Sequence, residues 1–575
     1  MPRVTIDGNV VEVKDGTTIL DAAKAANIKI PTLCYHPDQE LKANCRICVV
    51  DVEGSRLLSA ACVTPVWDGM VVNTGNEKAL KARKNILELM LAHHPQDCLK
   101  CTRSGNCELQ SVSQDLDFTE DLRYPLTVRG TGKDTSSVSV VRDPAKCIVC
   151  QRCIYVCSDV QTVNALTKEN RSFDSVVAPA YGLPLAGTAC INCGQCIQAC
   201  PVGALTIKDD TAEVRAAINA GKFAVVQVAP AVRITIAEAL GEAPGTVSTG
   251  RLVTALKMLG FKEVFDTDFT ADLTIMEEGS ELLQRLNTGG VLPMITSCSP
   301  GWIKFCETFF PDLIPNLSTC KSPQGMFGGI IKTYYAEKKN LNKDDIFSAS
   351  IMPCTAKKYE RQRPELDSTH SGLDIDAVLT VEELARMIRA AGIKFSKLPE
   401  TDFDEIFGLG SGAGEIFSAT GGVMEAALRT VYEIVTKKTL DNIEFQAVRG
   451  IDGVKEASVD LNGTVVKVAI AHGLGNARKL MDAVRAGTAD YHFIEIMACP
   501  GGCIGGGGNP IKNWNKVLTR TKAVYETDRN LPVRKSHENE AVKMIYAEYF
   551  GAPLGEKSHH ILHTHYTDRS KEFAK

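Results

Sequence analysis

Apolar and polar positions alternate from Val4 to Val13 with Asp7-Gly8-Asn9 in the middle, a pattern that predicts a β-hairpin. In residues 15–28 the apolar positions recur at helical spacing behind a threonine able to cap the first turn. A second apolar helix is predicted to run through Ile86 and deliver His94 at its end, just before Pro95. From about residue 210 the texture changes. KFAVVQVAP (222–230), VLPMITSCS (291–299) and IFSASIMPC (346–354) read as strand runs, and VRITIAEALG (232–241) and IMEEGSELLQRL (275–286) read as helices. Strands alternating with helices predict an α/β domain of parallel strands, with the site on loops at the strand ends. A chain of 575 residues holds several cores. The expected fold class is therefore multidomain, α+β at the N-terminus and α/β beyond.

Composition excludes some functions. With 44% hydrophobic residues, 23% charged and a net charge of −5, nothing points to nucleic acid. No apolar run approaches the ~18 residues of a membrane span, and MPRVTIDGNVVEV lacks the basic-then-apolar pattern of a leader. A cytoplasmic location is expected, without a nucleic-acid or membrane partner. Cysteine changes the picture more. There are 21, fifteen of them in the first 200 residues and most in tight groups. In a reducing compartment such grouping points to metal ligation rather than disulfides.

Residues 1–78 are expected to form a 2Fe–2S ferredoxin-like domain carrying Cys34, Cys45, Cys48 and Cys62, with a four-cysteine zinc site as the alternative. Residues 79–125 hold His94, Cys98, Cys101 and Cys107, which suit a 4Fe–4S cluster with one imidazole ligand, or zinc; His93 competes with His94 on spacing alone. Residues 126–209 carry two runs of C-x2-C-x2-C-x3-C. In the two-cluster ferredoxin pattern the fourth cysteine of each run serves the other cluster. That assigns Cys147, Cys150, Cys153 and Cys200 to one 4Fe–4S cluster, and Cys190, Cys193, Cys196 and Cys157 to another. RSFDSVVAPAYGLP (171–184), between the runs, reads as a surface excursion. Four such clusters make a wire, which must end in the remaining residues.

Six cysteines remain there: Cys298, Cys306, Cys320, Cys354, Cys499 and Cys503. The glycines of EIMACPGGCIGGGGNP (495–510) allow backbone to approach a ligand closely, and no Gly-Lys-Ser/Thr follows to make a phosphate loop. GLGSGAG (408–414) is a poor dinucleotide turn because no clear strand precedes it. Cys306 and Cys320 read as packing residues. Histidines 559, 560, 563 and 565 suggest either a metal or, preferably, a docking or packing segment.

ITSCSPGW (295–302), IMPCTAKKYE (351–360) and EIMACPGGCIGGGGNP resemble the three signature motifs of FeFe hydrogenases, and the likeness spans nearly the whole chain. The overall pattern, including the tail SHHILHTHYTDRS, is similar to large catalytic subunits of multisubunit NAD(P)-linked, electron-bifurcating hydrogenases. The resemblance implies reversible reduction of protons to H2 at an H-cluster, a cysteine-held 4Fe–4S cubane bridged to a two-iron centre with CO, cyanide and azadithiolate ligands. It implies a catalytic domain over 210–515 with a C-terminal extension over 516–575. It also implies partner subunits with flavin, NAD(P) and Fe–S sites, ferredoxin as electron partner, and maturation proteins. Carried onto this chain, Cys354 and Cys499 ligate the cubane, Cys503 bridges it to the two-iron centre, and Lys357 hydrogen-bonds a cyanide. Pro230, Gln324, Met352, Phe417 and Met497 line the pocket, and Glu278, Glu281, Ser318 and Arg285 match the proton path. The competing readings are a hydrogen sensor and a non-catalytic electron-transfer subunit of a respiratory-type complex.

One position departs from the family. Its first motif has two adjacent cysteines, the first a proton relay and the second a cubane ligand, whereas here Ser299 stands in the second place. Register makes Cys298 the relay and puts Ser299 at the ligand position. Ligand chemistry favours the reverse, because thiolate suits Fe–S iron better than a hydroxyl. A cubane held by three thiolates and water is a third arrangement. Register gives Ser299 a slight preference. Glu278 and Glu281 share one helix face, which without the family likeness would read as a solvated acidic face.

Overall fold

The computed structural model describes residues 1–573 apart from 131, 371, 405 and 406, so the last two residues of the expected C-terminal extension lie outside it. Chain contacts divide the protein into two compact units: residues 1–160, 164–188 and 195–206, and residues 161–163, 189–194 and 207 onward. Three short stretches of the expected 126–209 domain, 161–163, 189–194 and 207–209, thus fall in the second unit.

In the first unit the hairpin forms from Arg3–Ile6 and Asn9–Glu12. Ile6 pairs directly with Asn9, so the turn is Asp7-Gly8 alone, with φ of 45° and 82°. A two-residue turn of this kind matches the twist of its strands. Asp7 tolerates its positive φ while its carboxylate accepts from Thr74 N at 2.7 Å. The hairpin belongs to a five-stranded sheet completed by Val71–Asn73, Val49–Val52 and Ser59–Ala60. The helix Ile19–Ala25 packs on it and starts where the Thr18 hydroxyl accepts from Asp21 N at 3.2 Å. The second predicted helix runs Glu77–Leu91 and stops three residues before His94. The segment 171–184 contributes the strand Val176–Ala178, antiparallel to Thr167–Glu169, flanked by exposed residues.

The second unit carries two four-stranded sheets. One is wholly parallel, in the order Glu263–Asp266, Phe223–Val228, Ile346–Met352, Ala377–Thr380. Its strands are buried on both faces, which explains their continuous apolar runs. The other runs Met294–Ile295, Phe493–Met497, Thr464–His472, Val454–Leu461. It is parallel except for the hairpin 454–472, which the expectation of purely parallel strands did not include. That hairpin alternates buried and exposed positions along its outer strand, as an antiparallel edge does. VLPMITSCS yields only the two-residue strand Met294–Ile295, with the rest in a loop.

Four strand ends point their C-terminal loops at one place. Strand 223–228 runs into the helix Pro230–Ala239, 294–295 into the loop before Pro300–Phe309, 346–352 into Pro353-Cys354, and 493–497 into Ala498-Cys499. Glu495 is fully buried, and its carboxylate accepts from Gly421 N at 2.6 Å and Met424 N at 2.7 Å. A carboxylate suits a helix N-terminus. It ties the helix Gly422–Thr436, and the Phe417 turn before it, to the strand that ends at Met497.

Arg429 spans the buried carboxylates of Glu425 (2.7 Å) and Asp528 (2.9 Å), all three side chains 0% exposed. Substituting Arg429→Met removes the cation that the two carboxylates share, leaving Glu425 to Arg449 and Asp528 to Arg534, and is expected to destabilise the protein by about 3 kcal/mol. Urea denaturation of the two proteins side by side measures this.

Candidate active site and iron–sulfur sites

In the first unit the four sulfurs of the 2Fe–2S candidate converge. Cys48 Sγ lies 3.4 Å from Cys62 Sγ, and Cys45 N donates to Cys34 Sγ at 3.5 Å. No disulfide joins any of the 21 cysteines. His94 and the three thiols of Cys98, Cys101 and Cys107 line a single pocket. His94 is buried and its Nδ1 makes no hydrogen bond, while His93 turns away to bond Thr127 O at 2.7 Å. His94, and not His93, is among the residues that line this pocket. Gly203 completes that pocket because a Cβ there would sit 2.7 Å from Cys101 Sγ. Cys147, Cys150, Cys153 and Cys200 line another pocket. Burial first, then neighbouring Cys200, raises the Cys147 thiol to about 11. A buried thiol group of this kind gains most from a cation, which deprotonates coordinating thiols outright.

The other four cysteines of the double motif are divided. Cys157 lies in the first unit, where Ala165 N donates to its sulfur at 3.3 Å, and Cys196 follows on the helix Gln195–Ala199. Cys190 and Cys193 sit on the 189–194 stretch of the second unit. There Thr355 Oγ1 donates to Asn192 O at 2.7 Å, and Gln161 Nε2 approaches Cys193 Sγ at 3.8 Å.

The second unit brings the three long motifs to one cavity. Its wall includes Cys298, Ser299, Cys354, Cys499 and Cys503, with Lys357 beside them. Pro230, Gln324, Met352, Phe417 and Met497 supply the lining expected of them, and the rest is mainly alanine, proline and glycine. Burial, together with Cys499, raises the Cys503 thiol to about 12, and burial raises Cys354 further. Lys357 is the cation next to them, an arrangement that favours iron–thiolate bonds over free thiolates. The donor set therefore fits a metal cluster.

Cys298 and Ser299 point different ways. The Cys298 thiol packs on the apolar core; burial raises it, and Glu278, then Cys503, raise it further. The Ser299 hydroxyl instead accepts from Ala498 N at 3.3 Å, beside Cys499. Lys357 Nζ donates to Ser322 Oγ at 2.7 Å, to Glu360 at 2.8 Å and to Cys298 O at 3.3 Å. Glu360, three residues on in the same short helix, was not among the expected site residues, although Lys-x-x-Glu spacing was visible in the motif. It also receives Ser322 Oγ (3.0 Å) and Gln324 Nε2 (2.9 Å), which fixes two cavity walls through one carboxylate.

Glu278 and Glu281 do share a face of the helix Asp268–Thr288, and that face is buried rather than solvated. Neither oxygen of Glu278 makes a hydrogen bond. Burial first and Glu281 second raise its carboxyl to about 8. Glu281 accepts from Ser318 Oγ at 3.0 Å and from Arg285 Nη2 at 2.6 Å. Arg285 is partly exposed and also donates to Leu317 O at 2.7 Å. The acidic groups thus run from beside Cys298 to the protein surface.

The chain matches the family model for the C-terminal domain of the iron-only hydrogenase large subunit over residues 222–507. It is 49% identical to the NADP-reducing hydrogenase subunit HndD of Solidesulfovibrio fructosivorans, over 99% of this chain and 100% of that one. The chain belongs to the iron-only hydrogenases. Iron hydrogenase 1 of Clostridium pasteurianum is 40% identical over 98% of this chain and 100% of its own length. A solved FeFe-hydrogenase of Chlamydomonas reinhardtii is 43% identical and covers 63% of this chain and 99% of its own, with a TM-score of 0.57. Further models match a 2Fe–2S binding domain at 2–77, an NADH-ubiquinone oxidoreductase-G iron–sulfur region at 83–121, a 4Fe–4S domain at 188–206 and an iron hydrogenase small subunit at 515–569. This hydrogenase therefore joins 2Fe–2S and 4Fe–4S regions to an H-cluster domain.

Two glycine runs of the hydrogenase have different uses. In 408–414, Cβ atoms on Gly410 and Gly412 would lie 2.0 Å from Asp268 Cβ and 2.1 Å from Asp528 Oδ1, so these glycines serve close packing. At the cavity, a Cβ on Gly506 would meet Pro353 O at 2.2 Å, and one on Gly507 would meet Cys193 O at 2.4 Å. Gly502 has φ +92° and a Cβ there would reach Thr420 N at 2.6 Å, so it must be glycine on both counts. Gly506→Ala is expected to push the Cys503 loop off the Cys354 loop. Iron analysis with electron paramagnetic resonance should then show the cavity cluster lost and the accessory signals kept.

Proposed function

We propose that this iron-only hydrogenase interconverts protons and H2 at an H-cluster in the 298–503 cavity, passing electrons along its accessory clusters to or from ferredoxin and NAD(P)-linked flavin subunits. The carrying observation is the cavity itself: one thiol from the 354 motif and two from the 499–503 motif beside Ser299, with Cys298 turned toward Glu278. When bound, the cluster supplies the redox chemistry and an open iron position for hydrogen. The chain's own residues then hold and feed it. Cys354, Cys499 and Cys503 would hold the cluster, with Ser299 at the position the family gives its remaining ligand. Lys357, clamped by Glu360 and Ser322, would present its ammonium to a cyanide ligand. Apolar walls at Pro230, Met352, Phe417 and Met497 exclude water. Cys298 exchanges protons with Glu278, and Ser318, Glu281 and Arg285 continue the path.

The accessory wire follows the groupings given above: Cys34, Cys45, Cys48 and Cys62 for 2Fe–2S; His94, Cys98, Cys101 and Cys107 for a 4Fe–4S cluster; then Cys147, Cys150, Cys153 and Cys200; then Cys157, Cys190, Cys193 and Cys196. Imidazole in place of a thiolate gives the His94 cluster less negative charge and a higher potential. The likeness to a subunit of an NADP-reducing hydrogenase supports a multisubunit, NADP-linked assembly. So does the packing role of the 408–414 glycines, which leaves that stretch no dinucleotide turn. Cysteines grouped without disulfides favour a cytoplasmic setting, and no helix among the described residues is long and apolar enough to cross a membrane. The second reading, a sensor or non-catalytic electron carrier, rests on Ser299 in place of a thiolate.

Infrared spectra of the anaerobically matured chain test the main reading. Carbon monoxide and cyanide bands that shift under H2 are expected; their absence, with a control hydrogenase matured in parallel, would leave the electron carrier. Cys298→Ala should keep the cubane signal and lower turnover about 10²–10⁴-fold, the usual worth of a positioned proton-transfer group. Loss of the cubane in that variant would make Cys298 the ligand instead. The purified single chain is expected to turn over with viologens or ferredoxin and not with NADH, as a coupled H2 assay will show.

A further inference from the structure

His563 belongs to the C-terminal segment and is not used by the path just described, yet it is buried at the outer end of that path. The segment is stitched to residues 319–321 by Lys321 N to Leu562 O and Thr564 N to Thr319 O, both 2.8 Å. This places His563 Nδ1 2.8 Å from Thr319 Oγ1, and Nε2 3.1 Å from Glu277 Oε2. Thr319 Oγ1 also lies 3.2 Å from Glu281 Oε2. Glu277 is held in turn by Tyr546 OH at 2.5 Å and Leu554 N at 2.8 Å. Glu277 and Glu281 are one turn apart on the same helix, so the imidazole bridges two carboxylates of one face.

The Thr319 hydroxyl has a single proton to give, and it has two neighbours able to take it. With Nε2–H bonded to Glu277, a singly protonated His563 offers Nδ1 as an acceptor, and the hydroxyl turns to it. A doubly protonated His563 donates from Nδ1 to the hydroxyl oxygen, and the hydroxyl proton is released to Glu281. We propose that His563 is a positioning residue for the proton path: its protonation turns the Thr319 hydroxyl onto Glu281 and so sets how readily Glu281 holds a proton. This rests on the proton path assigned above.

The remaining charged and titratable neighbours do not duplicate this link. Cys320 Sγ is 3.8 Å from Glu281 and 4.0 Å from His563 Nδ1, and burial keeps its thiol protonated. The His559 ring lies tilted with its centroid 4.6 Å away, on the helix that ends just before His563. Arg285 meets Glu281 on its other oxygen. Glu278 makes no hydrogen bond to any of them, and Tyr566 bonds the Ser318 carbonyl at 2.7 Å.

The test compares His563→Gln, Thr319→Val and the double variant in the matured protein across pH. Removing the imidazolium is expected to raise the acid-side midpoint of H2 oxidation by about one pH unit, the size of losing a nearby charge and hydrogen bond. Thr319→Val should give a similar shift, and the double variant no more than either alone. A structural role would lower rates at every pH and leave the midpoint in place. A second readout needs no two-iron centre: in ¹⁵N-histidine-labelled chain, the His563 resonance should move in Glu281→Gln and become insensitive to that change once Thr319 is valine. Unmoved midpoints or an unresponsive resonance overturn the proposal, while a fully active Glu281→Gln overturns the proton path itself.

Discussion

Backbone approaching backbone without side chains between is the condition on which the cavity depends. Gly506 lies where a single methyl would strike the Pro353 carbonyl, and Gly507 where it would strike that of Cys193. These contacts draw the Cys499–Cys503 loop onto the Cys354 loop and onto the 189–194 stretch. Two parallel sheets bring the loops near one another, since their strands end at the same place. Only glycine lets them close far enough for thiols from separate motifs to line one cavity.

Around that closure, burial does two opposed jobs. It makes bare thiolates costly, which favours iron as their counter-charge. It also lifts the Glu278 carboxyl toward neutrality, to about 8, so that this group can hold or release a proton near working pH. Lys357 would be expensive in such a place without Glu360, which sits three residues away and carries the opposite charge. The same pairing fixes Ser322 and Gln324, so electrostatic compensation and cavity shape come from one interaction.

Much of this was legible in the sequence because metal sites announce themselves through spacing. The C-x2-C-x2-C-x3-C runs and the three long motifs named most of the lining residues. The long strands Phe223–Val228 and Ile346–Met352 and the helix Asp268–Thr288 were legible from period alone. Less legible were the features fixed by tertiary contact. The hairpin 454–472 has an exposed outer strand whose weak alternation carried little signal. The choice between His93 and His94 needed to know which ring was buried. Glu277 and His563 lie 286 residues apart, and no local pattern joins a mid-chain glutamate to a tail histidine. The direction of Cys298 and Ser299 likewise depended on which neighbour supplied an N–H.

Arg285 is bound on one side by Glu281 and on the other by the carbonyls of Leu317, Val291 and Pro315. A guanidinium held by that many fixed acceptors does not swing out to collect protons from bulk. On the proposed path the mouth is thus a stationary portal, its guanidinium already paired with the Glu281 carboxylate. Protons must come to it, so the pace of exchange there belongs to the carrier in solution rather than to any motion of the side chain.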